Sequence, residues 1–305
     1  MTVHLPVTYL FVPGNRPERF AKALAAGADR IIIDLEDAVA PADKAAARTA
    51  IAEWFNGATS TPDARSQVLI RINDAATPWH ADDLLLARTV QAPCVMLPKC
   101  EAASQVLAVL ASLAAGTTVL ALVETARGLL ALHDIAAAPG VVRLAFGSID
   151  YMLDLDIPSL QGEGGAGGAG FGGGTRNIAL DVAAVQIAIA SRAAGLPSPV
   201  AGVTPELDAA QVTADMLHAR ALGFGAKMCI HPAQVAAVRT ALLPSARELA
   251  WAERVLQAWD ASGGGAVQVD GKMVDHPIVL KAQRIVANAE QVHLTAPHFV
   301  LPAKR

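Results

Sequence analysis

The chain has 305 residues, 53% of them hydrophobic and 17% charged, with a formal net charge of -4. That balance lacks the basic surplus a nucleic-acid binder shows, and the apolar content is ample for one large barrel or two smaller domains. It does not exclude an anionic substrate, because a local group of Arg and Lys side chains can oppose the global sign.

Short β-rich apolar runs alternate with longer Ala/Leu-rich stretches of helical period. The first strand is expected at residues 9–12, running into Pro13, Gly14, Asn15 and Arg16 and a helix over 17–26. The second, 30–34, leads to Glu36 and Asp37 and a helix over 42–54. The third, 68–72, carries Arg71 within it, ends at Asn73 and Asp74, and precedes a helix over 81–90. Strand 95–97 ends at Lys99 before a helix over 102–114, and strand 119–123 ends at Glu124 before a helix over 126–137. Strand 141–146 ends at Gly147, Ser148 and Asp150, with its helix at 177–194. Strands 199–203 and 227–230, with helices 208–222 and 233–243, make eight units.

Eight strand–helix units in this length predict an α/β fold, a (β/α)8 TIM barrel over residues 1–245. Residues 246–305 break the repeat and are expected to form a C-terminal helical arm. An open doubly wound sheet is the rival, but the first turn, Pro13-Gly14-Asn15-Arg16-Pro17, has no dinucleotide fingerprint. The Gly-rich stretch 162–174 reads as a surface loop or a mobile lid. Helix 177–194 is apolar but carries Asp181 and Arg192, and is expected in the core rather than in a membrane. Cys94, Cys100 and Cys229 lack metal-type spacing and suit a reducing compartment. The first residues have no signal-peptide pattern, and the expected location is the cytoplasm.

Polar residues at the carboxyl ends of parallel strands are how such barrels build active sites. Glu124 and Asp150 end consecutive strands, so their carboxylates can converge on Mg²⁺; separate pairing with Arg127 and Arg143 is the alternative. Arg71, inside an apolar strand, needs an anionic partner. Asp34, Glu36 or Asp37 would serve, and so would a substrate carboxylate or developing oxyanion. Arg16, Arg19 and Lys22 near a helix start suit phosphate groups, or a solvated face. Lys99 fits a Schiff-base lysine, or a salt bridge to Glu101 or Asp74. His231 fits a structural role better than a ligand role.

Taken together, the segments from Phe11 to Phe20, Asp34-Leu35-Glu36-Asp37-Ala38-Val39, Arg71-Ile72-Asn73, Leu97-Pro98-Lys99, Val123-Glu124-Thr125-Ala126-Arg127-Gly128 and Phe146-Gly147-Ser148-Ile149-Asp150 resemble the citrate lyase beta-subunit family. That family belongs with the HpcH/HpaI aldolases and includes malyl-CoA lyases. Cys229-Ile230-His231-Pro232 and the stretch from Asp270 to Asp275 extend the likeness.

The resemblance implies a Mg²⁺-dependent carbon–carbon lyase. It would cleave or form a 3-hydroxyacyl-CoA or acyl-carrier thioester, such as malyl-, citramalyl- or citryl-CoA, yielding a 2-oxo acid and an acyl thioester. A malyl-CoA-type thioesterase and a subunit of a multi-protein citrate lyase are the alternatives. By resemblance, Glu124 and Asp150 hold the metal, and Glu124 also contacts substrate. Arg71 binds substrate and stabilises charge, Arg16 and Lys22 bind the thioester's phosphates, and Asp275 acts on a neighbouring subunit's site. A homotrimer or homohexamer, with a possible acyl-carrier partner, is implied as well.

Overall fold

In the computed structural model, described over residues 5–58, 60–157 and 177–294, eight parallel strands close into a barrel in sequence order. They are β1 Thr8–Pro13, β2 Arg30–Asp34, β3 Val68–Arg71, β4 Cys94–Leu97, β5 Thr118–Val123, β6 Val141–Phe146, β7 Val200–Ala201 and β8 Ala226–Cys229. β8 closes on β1 through Thr8 opposite Lys227 and Leu10 opposite Cys229. This is the predicted (β/α)8 barrel.

Alternate residues fill its interior, with Tyr9, Ile32, Leu69, Met96, Leu120 and Met228 in one buried cluster. The intervening residues, such as Ile31 and Ile33, are equally buried. Burial of both faces is why these strands read as continuous apolar runs instead of an alternation.

Local chemistry departs from the predicted boundaries in a few places. The helix expected at 17–26 opens with a 3-10 turn, Pro17–Arg19, before Phe20–Ala25. The one expected at 126–137 divides into Ala126–Leu130 and Leu132–Ala137. A short helix, Ser148–Asp154, follows β6 directly. β7 is shorter than expected, because Gly202 and Thr204 leave the sheet for other partners. The Gly202 carbonyl accepts from Lys227 Nζ at 2.6 Å, and Thr204 Oγ1 donates to Asp215 at 2.5 Å.

The described chain divides into two compact units, one running Leu5–Val238 and the other from Arg239 onward. In the second, helix Ala246–Ala261 starts with a Ser245/Glu248 capping box. Strands β9 Val267–Val269 and β10 Lys272–Val274 then form an antiparallel hairpin. Asp270 (φ 50) and Gly271 (φ 75) both adopt left-handed backbone, as an Asp-Gly type I′ turn requires. Helix His276–Leu294 follows. Val255, Val274, Val279 and Ala282 form this unit's own core.

The three cysteines are free, and burial pushes the Cys94 thiol to about 11 and the Cys100 thiol to about 12. No described helix is long and apolar enough to cross a membrane. The Gly-rich stretch 162–174 lies outside the described residues.

Candidate active site

The site is built outward from one salt-bridge cluster. β2 and β3 pair with Asp34 opposite Arg71, so the carboxylate and guanidinium meet side by side at the carboxyl ends of their strands. Arg71 Nε and Nη2 each donate to Asp34 at 2.7 Å. Nη1 lies 2.8 Å from Glu36 and 3.5 Å from Asp37. Asp34 also accepts the backbone N–H groups of Glu36 and Ala38, both at 2.9 Å. The Phe11 ring lies under the guanidinium, 4.9 Å away. Burial opposes the charge on Arg71, but Asp34 first and Glu36 next outweigh it, and the cation is held permanently. The carboxylate partners considered from sequence are thus all present at once.

Lys99 joins this cluster to Glu124. Its Nζ donates to Glu36 at 3.0 Å, and its backbone N–H donates to Glu124 Oε1 at 2.8 Å. To do both it adopts φ 43, a left-handed conformation uncommon outside glycine and found where surrounding structure enforces it. The partner is Glu36, neither Glu101 nor Asp74. Burial works against the ammonium, but Glu36 outweighs it and the pKa is raised. Lys99 is therefore a poor source of the neutral amine that Schiff-base chemistry needs.

Glu124 is 2% exposed. Burial first, then the neighbouring Glu36 and Asp150, push its carboxyl up to about 8. Asp150 is half-buried in the first turn of Ser148–Asp154, and it too is raised, by burial and then by Asp37. Gly147 gives Glu124 room, since a Cβ there would lie 2.7 Å from Glu124 Cβ. The alternative pairings are absent. Arg127 is 85% exposed, with Glu101 at 4.0 Å, and Arg143 donates to the carbonyls of Ser198 and Pro6 at 2.6 and 2.5 Å.

Arg71, Glu124 and Asp150 line one cavity of about 480 Å³, together with Phe11, Asp34, Asp37, Gly147, Val203, Met228 and Ile230. Among the described residues no group of three or more His, Cys, Asp or Glu side chains is placed to hold a metal. A two-carboxylate oxygen site suits Mg²⁺, which keeps water and substrate oxygens in its shell, rather than Zn²⁺. The donors fit: two oxygen-bearing groups, one deeply buried and surrounded by like charge, are stabilised in the ionised form by a hard cation.

Other sequence-selected residues lie elsewhere. Arg16 is exposed and pairs with Glu18 at 2.6 Å, and Lys22 is exposed on helix Phe20–Ala25. His231 is exposed, and its Nδ1 accepts the Ala233 N–H at 3.2 Å, a structural role. Asp275 belongs to the second unit, exposed just ahead of helix His276–Leu294, with its Oδ1 3.4 Å from the Ile278 N–H. Sequence reasoning missed Phe11, Gly147, Val203, Met228 and Ile230 as cavity-forming residues. Their position at or just beyond strand ends was the available signal, but small and apolar side chains there read as core.

The arrangement can hold a divalent cation beside a fixed guanidinium, and known proteins share the framework around it. Over 281 residues the chain is 39% identical to a citrate lyase subunit beta-like protein of Mycobacterium tuberculosis, covering 92% of this chain and 94% of that one. It is 30% identical to a (3S)-malyl-CoA thioesterase of Cereibacter sphaeroides, covering 93% and 94%. Among solved structures it resembles CitE from Mycobacterium tuberculosis in complex with magnesium, acetoacetate and coenzyme A. That likeness has a TM-score of 0.79 and 37% identity over 93% of this chain and 98% of the other. The model of the HpcH/HpaI aldolase/citrate lyase family matches residues 8–232. Those limits take in all eight strands and every polar group of the cavity, and so the chain belongs to the HpcH/HpaI aldolase/citrate lyase family.

Proposed function

We propose that the protein is a Mg²⁺-dependent carbon–carbon lyase that splits a 3-hydroxyacyl thioester into a 2-oxo acid and an acyl thioester, or joins them. The observation that carries this reading is Glu124, buried, braced by the Lys99 N–H, and lining one cavity with Asp150 and the tethered Arg71. Relatives support it, since CitE from Mycobacterium tuberculosis binds magnesium with acetoacetate and coenzyme A.

Glu124 and Asp150 would hold Mg²⁺, whose chemistry is to polarise the 2-oxo oxygen and to neutralise charge that develops on it. Arg71 contributes a positive charge that Asp34 holds in place before substrate arrives, as preorganised electrostatic stabilisation requires. Lys99 and Gly147 fix where the Glu124 carboxylate points. Arg16 and Lys22, exposed beyond β1, would meet the phosphates of coenzyme A. Asp275 would move a proton at the carbon next to the thioester carbonyl, in the site of another subunit. A homotrimer or homohexamer is then the working assembly, with an acyl carrier as a possible partner, in the cytoplasm.

Hydrolysis is the second reading, favoured by the malyl-CoA thioesterase relative. A role inside a multi-protein citrate lyase is the third, and the citrate lyase subunit beta of Leuconostoc mesenteroides, 31% identical, favours it. Mass-spectrometric product analysis with Mg²⁺ and malyl-, citramalyl- and citryl-CoA separates the three. A 2-oxo acid plus acyl-CoA supports the lyase. Free CoA plus intact hydroxy acid overturns it for the thioesterase. No turnover without an added carrier points to the subunit role.

A further inference from the structure

Strand order divides the cavity into two kinds of wall. β7, β8 and β1 are consecutive in the closed barrel, and the cavity residues in or just beyond them are hydrocarbon: Val203, Met228, Ile230 and Phe11, with the small ring of Pro13. The charged residues come from the other side, with Asp34 and Asp37 at β2, Arg71 in β3, Glu124 after β5 and Asp150 after β6. Leu122 and Ile149 are the large apolar residues on that side.

The positive charge on the polar side is already committed to carboxylates. Among the described residues lining the cavity, Arg71 is the one base, facing four carboxylates. It is bound twice by Asp34 at 2.7 Å and lies 2.8 Å from Glu36. Lys99, outside the lining, is committed to Glu36 at 3.0 Å. One bound divalent cation would offset two carboxylates and receive one substrate carboxylate. A second substrate carboxylate would then face either Asp and Glu side chains, with the Ser148 hydroxyl as the one neutral side-chain donor among the described lining residues, or the hydrocarbon wall. A carboxylate taken from water without a donor or cation is strongly disfavoured, whereas an alkyl group against that wall gains by burial.

We infer that the β7–β8–β1 wall is an alkyl subsite. It selects substrates whose 2-oxo acid half carries hydrogen or a short alkyl group beside its single carboxylate, and it rejects those bearing a second carboxylate. This deepens the lyase reading and rests on it for the identity of the substrate. Citryl thioesters, whose 2-oxo acid product is a dicarboxylate, fall on the rejected side. Malyl and citramalyl thioesters fall on the accepted side.

The test is calorimetric binding of pyruvate and oxaloacetate to the full chain with Mg²⁺, alongside kcat/KM for citramalyl- and citryl-CoA. Pyruvate is expected to bind at least 10-fold tighter than oxaloacetate, and citramalyl-CoA to be preferred by at least 100-fold. Ile230→Arg, at a half-exposed rim position, is expected to reverse the binding preference, and Val203→Lys serves if that variant does not fold. Equal or tighter binding of oxaloacetate by the native chain overturns the subsite. So does an unchanged preference in a folded variant, which would give the wall to the thioester arm instead. Pyruvate selectivity without cleavage of any thioester keeps the subsite and removes the lyase reading.

Discussion

Glu124 is the residue on which the chemistry depends, and its burial makes it a liability without a cation. Its pKa is raised from the ordinary 4.5 to about 8 in the fold. The folded state therefore holds a proton that the unfolded chain releases. Stability from this group is full below about 4.5 and is lost as pH rises through about 8. Metal-free protein is expected to melt at progressively lower temperature across that window, and Glu124→Gln to flatten the trend and melt higher at pH 8. The same variant should lose Mg²⁺ binding in a calorimetric titration and about 1,000-fold or more in turnover. A metal-free native chain whose melting temperature is flat across the window would contradict this account. Arg71 makes the opposite case, a cation whose removal strands its partners. Arg71→Met leaves Asp34 buried without its counter-charge, which costs about 3–5 kcal/mol. Denaturant unfolding should show that loss, together with failure to bind a 2-oxo acid. Gly147→Ala places a methyl group 2.7 Å from Glu124 Cβ, and its Mg²⁺ affinity is expected to fall about 10–100-fold, as for other groups that orient a metal ligand.

At the scale of elements, Gln234 joins two loops of the cavity rim. Its Oε1 accepts the N–H groups of Ile230 and His231 at 2.9 and 3.3 Å. Its Nε2 donates to the carbonyls of Thr204 and Glu206 at 2.8 and 2.9 Å. One side chain thus ties the segment after β7 to the segment after β8, the two that carry Val203 and Ile230. Gln234→Ala leaves the buried Thr204 carbonyl and three part-buried backbone groups unpaired, at a cost of about 1–3 kcal/mol. It should raise KM while leaving Mg²⁺ affinity unchanged, because Glu124 follows β5 and Asp150 lies in the helix after β6, outside both segments. Gln234 was invisible in the sequence, where it sits in an ordinary Ala-rich helix start. Glu124 was legible because its charge interrupts an apolar run at a strand end, and Asp150 because it closely follows the next such run. The hairpin of β9 and β10 was not read: the tail was expected as a helical arm, and the Asp270-Gly271 turn that pairs the two strands went unrecognised.

At the scale of the whole molecule, the proposed assembly places Asp275 of one subunit in the site of another. Mixing Asp275→Asn chains with Glu124→Gln chains then offers one intact site for each suitable mixed interface. Activity is expected to reappear on subunit exchange, at a fraction of the native value, while neither variant is active by itself. Sedimentation of the mixture checks that exchange took place. Exchange without recovered activity would rule out a shared site. Mg²⁺ chelation should abolish turnover and be reversed by adding the metal back, with activity followed before and after.

Sequence by itself determined the barrel, because eight apolar runs buried on both faces leave period and length as a direct record of strand and helix. It also determined which charges deserved notice, since a carboxylate or guanidinium at a strand end in so apolar a chain is energetically conspicuous. Only the tertiary structure decided how those charges are shared. Asp34 and Arg71 become partners through the register of β2 with β3, and Lys99 reaches both Glu36 and Glu124 through one left-handed residue. Gly147 matters because Glu124 presses against it, and the hydrocarbon wall exists because β7 and β8 return beside β1. Each of these is a contact between residues far apart in the chain, and closing the barrel, rather than any local preference, brings them together.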